Sequence, residues 1–273
     1  SASSVVLDVA CNGDATGDID ITVLGGVSGY TYSWVASNGG NLGSNSPTSE
    51  DLVGLVAGDY TCTITDINGC PLTHVVTITE PLAPLSASSV LSDYNGYNVS
   101  CYGYNDGDIN ITVTGGTTGY TYSWVASNGG NLGTNSSTSE DLVGLVAGDY
   151  VCTIGDGSSC QLTYLVTITE PLAPLSAISV LSDYNGYNVS CYGYNNADIN
   201  LTVSGGSSGY TYSWLAINGG FLGANSPTSE DLNGLVAGDY TCAITDINGC
   251  PLTHVVTITE PSAALSASSV VLD

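Results

Sequence analysis

Whole phrases of this chain return about every 90 residues, and repetition at that spacing restricts the chain to a row of similar small domains. Tyr-Thr-Tyr-Ser-Trp ends at Trp34, Trp124 and Trp214, and Thr-Ser-Glu-Asp-Leu ends at Leu52, Leu142 and Leu232. Val-Thr-Ile-Thr-Glu-Pro closes each copy at Pro81, Pro171 and Pro261. The stretches that follow, Pro81–Leu85 (PLAPL) and Pro171–Leu175, cannot continue a central strand because proline has no N–H to give, so they read as short, stiff connectors. The boundaries are then repeat 1 at 1–85, repeat 2 at 86–175 and repeat 3 at 176–265. The third connector, Pro261–Leu265 (PSAAL), carries Ala264 in place of the second proline and is expected to be softer. Residues 266–273 restate Ser1–Asp8 letter for letter. They read either as the first strand of a further repeat in a longer array, or as a donor strand completing a sheet in a neighbouring chain.

Within each copy, segments of period-2 alternation are separated by clusters of Gly, Asn, Asp and Ser, and no useful length shows helical periodicity. From Asp18 to Leu24, for example, Ile19, Ile21 and Val23 share one face while Asp18, Asp20 and Thr22 share the other. Tyr60, Cys62 and Ile64 form a second inward set. The expected class is all-β, a tandem array of three immunoglobulin-like β-sandwich domains. Leu52 through Gly58-Asp59-Tyr60-Thr61-Cys62 resembles the immunoglobulin lead-in to strand F, where a tyrosine two residues before a cysteine packs into a corner, and Trp34 takes the strand-C tryptophan's place. Cys11 lies about 23 residues before Trp34, which departs from immunoglobulin spacing.

Charge removes several classes of partner. The chain has no Lys or Arg against 25 Asp and Glu, a net charge of −25, so nothing in it neutralises nucleic-acid phosphate and an anionic membrane repels it. Isopeptide staples, which need lysine, are excluded, and trypsin finds no site. The 42% hydrophobic content still suffices for packed cores. Nine cysteines without metal-ligand clustering point to an oxidising, extracellular setting. No apolar run approaches the roughly 20 residues of a membrane span, so any anchor or export signal is expected outside this segment.

Taken in order, each copy offers a cysteine, a Gly/Asp-rich turn, a strand such as Ile19-Asp20-Ile21-Thr22-Val23, Gly-Gly, Y-T-Y-S-W, and E-D-L-x-G-L-x-A-G-x-Y; Thr-Asp-Ile-Asn-Gly-Cys in two copies, and the closing T-I-T-E-P, follow. This ordered set resembles the SprB-type repeat of surface adhesins and gliding-motility proteins of Bacteroidota. The resemblance implies a long cell-surface protein exported by the type IX system, with repeats acting as stalk or filament. It also implies disulfides between the first and last cysteine of a copy: Cys11 with Cys70, Cys101 with Cys160, and Cys191 with Cys250. Cys62, Cys152 and Cys242 are then buried thiols, in keeping with the alternation of Cys62 with Tyr60 and Ile64. The rival is an immunoglobulin-like bond from Cys11 to Cys62, which leaves Cys70 exposed.

Catalysis finds little support. His74 and His254 correspond to Tyr164 in the middle copy, so no Ser-His-Asp set recurs. Glu50 and Asp51 are adjacent on an extended segment and point apart, unlike the facing carboxylates of a glycosidase. No cofactor is expected; Asp14, Asp18, Asp106 and Asp108 are weak candidates for loosely bound Ca²⁺, and the third copy reads Asn195-Asn196-Ala197-Asp198 there.

Repeats 2 and 3 carry about five extra residues before their first cysteine, and tyrosines come with them. These are Tyr94, Tyr97, Tyr102 and Tyr104, then Tyr184, Tyr187, Tyr192 and Tyr194. Beside the proline connectors, such a cluster suits a domain junction, a contact between neighbouring fibres, or stacking on a sugar ring. The expected role is a structural segment of an extracellular fibre or adhesin that self-associates along or between fibres. The alternative is a carbohydrate-binding array using these tyrosines.

Overall fold

A computed structural model describes residues 1–269, and every regular element in it is a strand. Repeat 1 holds β1 (Ala2–Leu7), β2 (Gly17–Val23), β3 (Thr31–Ser37), β4 (Leu52–Leu55), β5 (Gly58–Thr65) and β6 (Pro71–Ile78). Repeat 2 repeats the set as β7 (Ser86–Leu91), β8 (Gly107–Thr114), β9 (Thr121–Ser127), β10 (Leu142–Leu145), β11 (Gly148–Gly155) and β12 (Gln161–Ile168). Repeat 3 does so as β13 (Ser176–Leu181), β14 (Ala197–Ser204), β15 (Thr211–Ile217), β16 (Leu232–Leu235), β17 (Gly238–Thr245) and β18 (Pro251–Ile258).

Each repeat is a sandwich of two three-stranded antiparallel sheets. In repeat 1 their orders are β1-β2-β4 and β3-β5-β6, the A-B-E and C-F-G arrangement of an immunoglobulin-like domain. Alternation sets the register: Ile19 and Ile21 face inward from one sheet, while Trp34, Tyr60, Cys62, Ile64, Val76 and Ile78 face them from the other. Cys62 lies directly opposite Trp34 on one neighbour and His74 on the other. Leu52 and Leu55, both fully buried, close the core at the β4 edge. Each such side chain contributes about 1.5–3 kcal/mol by leaving water.

The tyrosine corner is present. The Tyr60 hydroxyl donates to the carbonyl of Val56 at 2.8 Å and accepts from the Asn41 N–H at 3.1 Å, and Tyr150 and Tyr240 repeat this bond to Val146 and Val236. Burying a phenol is costly unless its oxygen is satisfied, and here it is.

Three separate cores result, one per repeat. Leu85 and Leu175, at the ends of the first two connectors, pack on the core of the following repeat. Residues 266–269 form no strand and are exposed; the rest of the segment that restates Ser1–Asp8 lies outside the described residues.

Candidate functional site

The chemistry-bearing side chains gather where repeats meet. Each sandwich has a head end, where the third cysteine sits just before the last strand, and a tail end, where the first cysteine sits beside the connector. At the head of repeat 1, one carboxylate organises the turn: Asp66 accepts from the N–H groups of Asn68 (3.0 Å), Cys70 (2.9 Å) and Val27 (3.1 Å). The Cys70 and Val27 N–H groups hold this carboxyl below its ordinary range. Asp156 and Asp246 likewise accept from the N–H groups of Cys160 and Cys250. At the tail, Glu80 accepts from the Gly13 N–H, and the Pro81 carbonyl accepts from Asn12 Nδ2 at 2.8 Å. Glu170 and Glu260 hold the corresponding turns after Cys101 and Cys191.

These anchors put the two cysteines of one repeat at opposite ends of β6. That strand starts beside Cys70 and finishes just before the Glu80–Pro81 pair that grips the Cys11 turn. Its eight residues, at about 3.4 Å each, hold the two apart by roughly 27 Å, several times the Cα separation a disulfide spans. The pairing expected within each repeat is therefore corrected. Cys11 bonds Cys160, and Cys101 bonds Cys250, each with Cα atoms 5.7 Å apart and a sequence separation of 149. Both bonds cross from the tail of one repeat to the head of the next, while Cys70 and Cys191, at the two outer ends, are free and exposed. Cys11 does not reach Cys62 either. Cys62, Cys152 and Cys242 are free, fully buried thiols, and burial raises their pKa against the lowering effect of a backbone hydrogen bond with Ser33, Ser123 or Ser213. Such thiols are chemically inert.

The connectors are bound to the repeat they lead into. Gly116 and Gly206 donate to the carbonyls of Ala83 and Ala173, both at 2.9 Å. A side chain on Gly115 or Gly205, each with positive φ, would collide with the carbonyl oxygen of Pro84 or Pro174, so only glycine lets the connector lie this close.

The two joints then differ. In repeat 2, Tyr94 and Tyr97 exchange backbone hydrogen bonds across an Asn95-Gly96 turn with positive φ at both residues, a tight hairpin that leans on repeat 3. Asn248 meets it: its Nδ2 donates to the carbonyls of Tyr94 and Ser100, both at 3.1 Å, and its Oδ1 accepts from Asn95 Nδ2. Repeat 1 has no such hairpin. Repeat 2, which faces it, has Ser158 where repeat 3 has Asn248, and that hydroxyl turns back to Thr117 of its own domain at 2.9 Å. Tyr102 and Tyr104 flank the second joint against Pro174, Leu175 and Pro251, each about half exposed (46% and 48%). Tyr184, Tyr187, Tyr192 and Tyr194 occupy the same places at the tail of repeat 3, all exposed.

The remaining candidates serve the fold. Nε2 of His74 and of His254 hydrogen-bonds Ser4 and Ser179 across the sandwich edge, and the Tyr164 hydroxyl does so with Ser89, each at 3.1 Å. Glu50 accepts from the Tyr32 hydroxyl (2.7 Å) and Asp51 from the Ile21 N–H (2.9 Å). Asp18 and Asp108 accept from Gly54 and Gly144, Asp106 accepts from Ser100, and Asp14 follows in the Cys11 turn. Among the described residues, no three His, Cys, Asp or Glu side chains converge as a metal site.

The model of the SprB repeat matches residues 3–41, 97–131 and 187–219, one segment in each sandwich. Each of the three sandwiches carries an SprB repeat match. The matched segments run from β1 or the tail turn through the Y-T-Y-S-W strand. No curated protein matches the chain in sequence. Among solved structures, similarity extends to the N-terminal eight Ig domains of Down Syndrome Cell Adhesion Molecule (12% identity, TM-score 0.43, covering 85% of this chain and 33% of that one). It extends also to invasin, a bacterial integrin-binding protein (13%, TM-score 0.32, 95% and 60%), and to murine CEACAM1b (14%, TM-score 0.25, 62% and 98%). The chain thus spans about a third of the first and somewhat under two thirds of the second. SprB repeats occur in cell-surface proteins, and the disulfides belong to an oxidising environment. The role is that of an extracellular, adhesin-type repeat.

Proposed function

We propose that these SprB repeats form the stalk of a surface fibre, with each joint locked so that the array reaches outward without folding back on itself. The observation that carries this reading is the pair of disulfides running between repeats, tail to head. A disulfide inside a domain stabilises that domain; one between domains removes the freedom of the joint. The connector clasp at Gly116 and Gly206 and the Asn248 bridge act in the same direction. Absence of Lys and Arg adds resistance to trypsin-like proteases.

Small-angle scattering tests it. The oxidised chain should show a narrow distribution of inter-repeat distances that broadens on reduction. Cys160→Ser should loosen its joint more than Cys250→Ser loosens the other, because the Asn248 bridge remains only in the second. An oxidised chain as variable as the reduced one contradicts the stalk.

A second reading draws on Tyr102 and Tyr104, whose half-open rings beside the joint suit weak, repeated stacking on sugar rings. Glycan binding abolished by alanine at both positions, with scattering unchanged, would support it.

A further inference from the structure

The tail of repeat 3 and the head of repeat 1 are two halves of the joint seen twice between the repeats. At the tail of repeat 3, Cys191 is an exposed thiol among Tyr192, Tyr194, Ala264 and Leu265. The equivalent positions one repeat earlier, Cys101, Tyr102, Tyr104, Pro174 and Leu175, line a groove with Gly206, Cys250 and Pro251 of the following repeat, and there Cys101 is buried. At the head of repeat 1, Cys70 is the other exposed thiol, in an open groove with Gly26, Asp66 and Pro71. These are the counterparts of Gly206, Asp246 and Pro251.

The ends also match in type. Inside the chain, a tail with the tyrosine hairpin meets a head reading Ile247-Asn248-Gly249, and a tail without it meets a head reading Gly157-Ser158-Ser159. The open tail of repeat 3 carries the hairpin (Tyr184 N–H to the Tyr187 carbonyl, 2.7 Å), and the open head of repeat 1 reads Ile67-Asn68-Gly69. After the third connector the sequence resumes with Ser266-Ala-Ser-Ser-Val-Val, the opening of repeat 1, where repeats 2 and 3 open with SASSVL and SAISVL.

We infer that the tail of repeat 3 docks on a head of the repeat 1 type, such as a second copy of this chain presents, with a Cys191–Cys70 disulfide and Asn68 bridging to the Tyr184–Tyr187 hairpin. The contact is head-to-tail, so it propagates into a filament instead of closing as a two-fold dimer. The inference rests on the stalk reading and extends it to assembly. Bond formation follows thiol–disulfide exchange with a small-molecule disulfide such as oxidised glutathione. One protein thiolate displaces a glutathione thiolate to give a mixed disulfide, and the second protein thiolate displaces the other. The two protein thiols give up two protons and two electrons, which leave on two molecules of reduced glutathione.

Incubating the purified chain with oxidised glutathione should give a non-reducing ladder at multiples of the 27.7 kDa chain, linked through Cys70–Cys191 peptides and collapsed by reductant. Cys70→Ser and Cys191→Ser should each abolish the ladder alone, and their mixture should give a dimer and stop there. Giving the head the repeat 2 turn (Ile67→Gly, Asn68→Ser, Gly69→Ser) should slow the ladder about tenfold, the loss expected for the Asn68 bridge. Ladders linked Cys70–Cys70 or Cys191–Cys191, or chains whose two thiols remain alkylatable after oxidation, overturn the inference. If the chain stays single but scattering still shows fixed joints, this inference fails and the stalk reading survives. Mobile joints sink the stalk itself.

Discussion

A chain cut through both internal connectors remains one molecule until it is reduced, and then falls into three. Leu82 and Leu172 are fully exposed in the connectors, so replacing each by lysine should disturb nothing and creates the sole two trypsin sites in a chain without Lys or Arg. Cleavage after residues 82 and 172 separates the repeats in sequence, but Cys11–Cys160 ties the first fragment to the second and Cys101–Cys250 ties the second to the third. Non-reducing electrophoresis should show the cut Leu82→Lys, Leu172→Lys chain at its uncut mass, and reducing electrophoresis should show three fragments of similar size. Disulfides confined within repeats would give the three fragments under both conditions. The effect is all-or-none because it depends on covalent connectivity rather than on a balance of weak forces.

Trp124→Ala should collapse one repeat and spare its neighbours. Trp124 is buried under Cys152, and its indole N–H donates to the Ser139 carbonyl at 2.9 Å. Removing it costs about 3–5 kcal/mol, which in a domain of this size lowers the melting temperature by roughly 20 °C. The three cores are separate, so calorimetry should resolve a transition shifted for repeat 2 while those of repeats 1 and 3 stay in place, apart from the interface term between neighbours. A single transition moving as a whole would mean that the joints couple the repeats into one cooperative unit.

Much of the fold can be read in the letters. Period-2 alternation in Ile19-Asp20-Ile21 and Tyr60-Thr61-Cys62 reports which side chains face inward, and it is the same alternation that marks Cys62 as a core thiol. Tyr60, four residues beyond the carbonyl it grips, follows from the corner motif. The disulfide partners do not follow, because alternation says which face a residue takes and nothing about which end of the sandwich it occupies. That information lies in Glu80 and Asp66, which fix the first and third cysteine at opposite ends of β6; both recur in every copy, yet their roles appear only once their backbone partners are known. The change from Ile-Asn-Gly to Gly-Ser-Ser ahead of Cys160 was equally visible. It gains meaning when Asn248 is found bonded to the Tyr94–Tyr97 hairpin of the previous repeat, a contact between residues about 150 positions apart that no local pattern signals.

The central claim is that cysteines join neighbouring repeats rather than the strands of one. Non-reducing peptide mapping of the oxidised chain, with its thiols alkylated before digestion, tests it most directly. The structure predicts linked peptides containing Cys11 with Cys160 and Cys101 with Cys250; peptides linking Cys11 with Cys70, or Cys101 with Cys160, would contradict it.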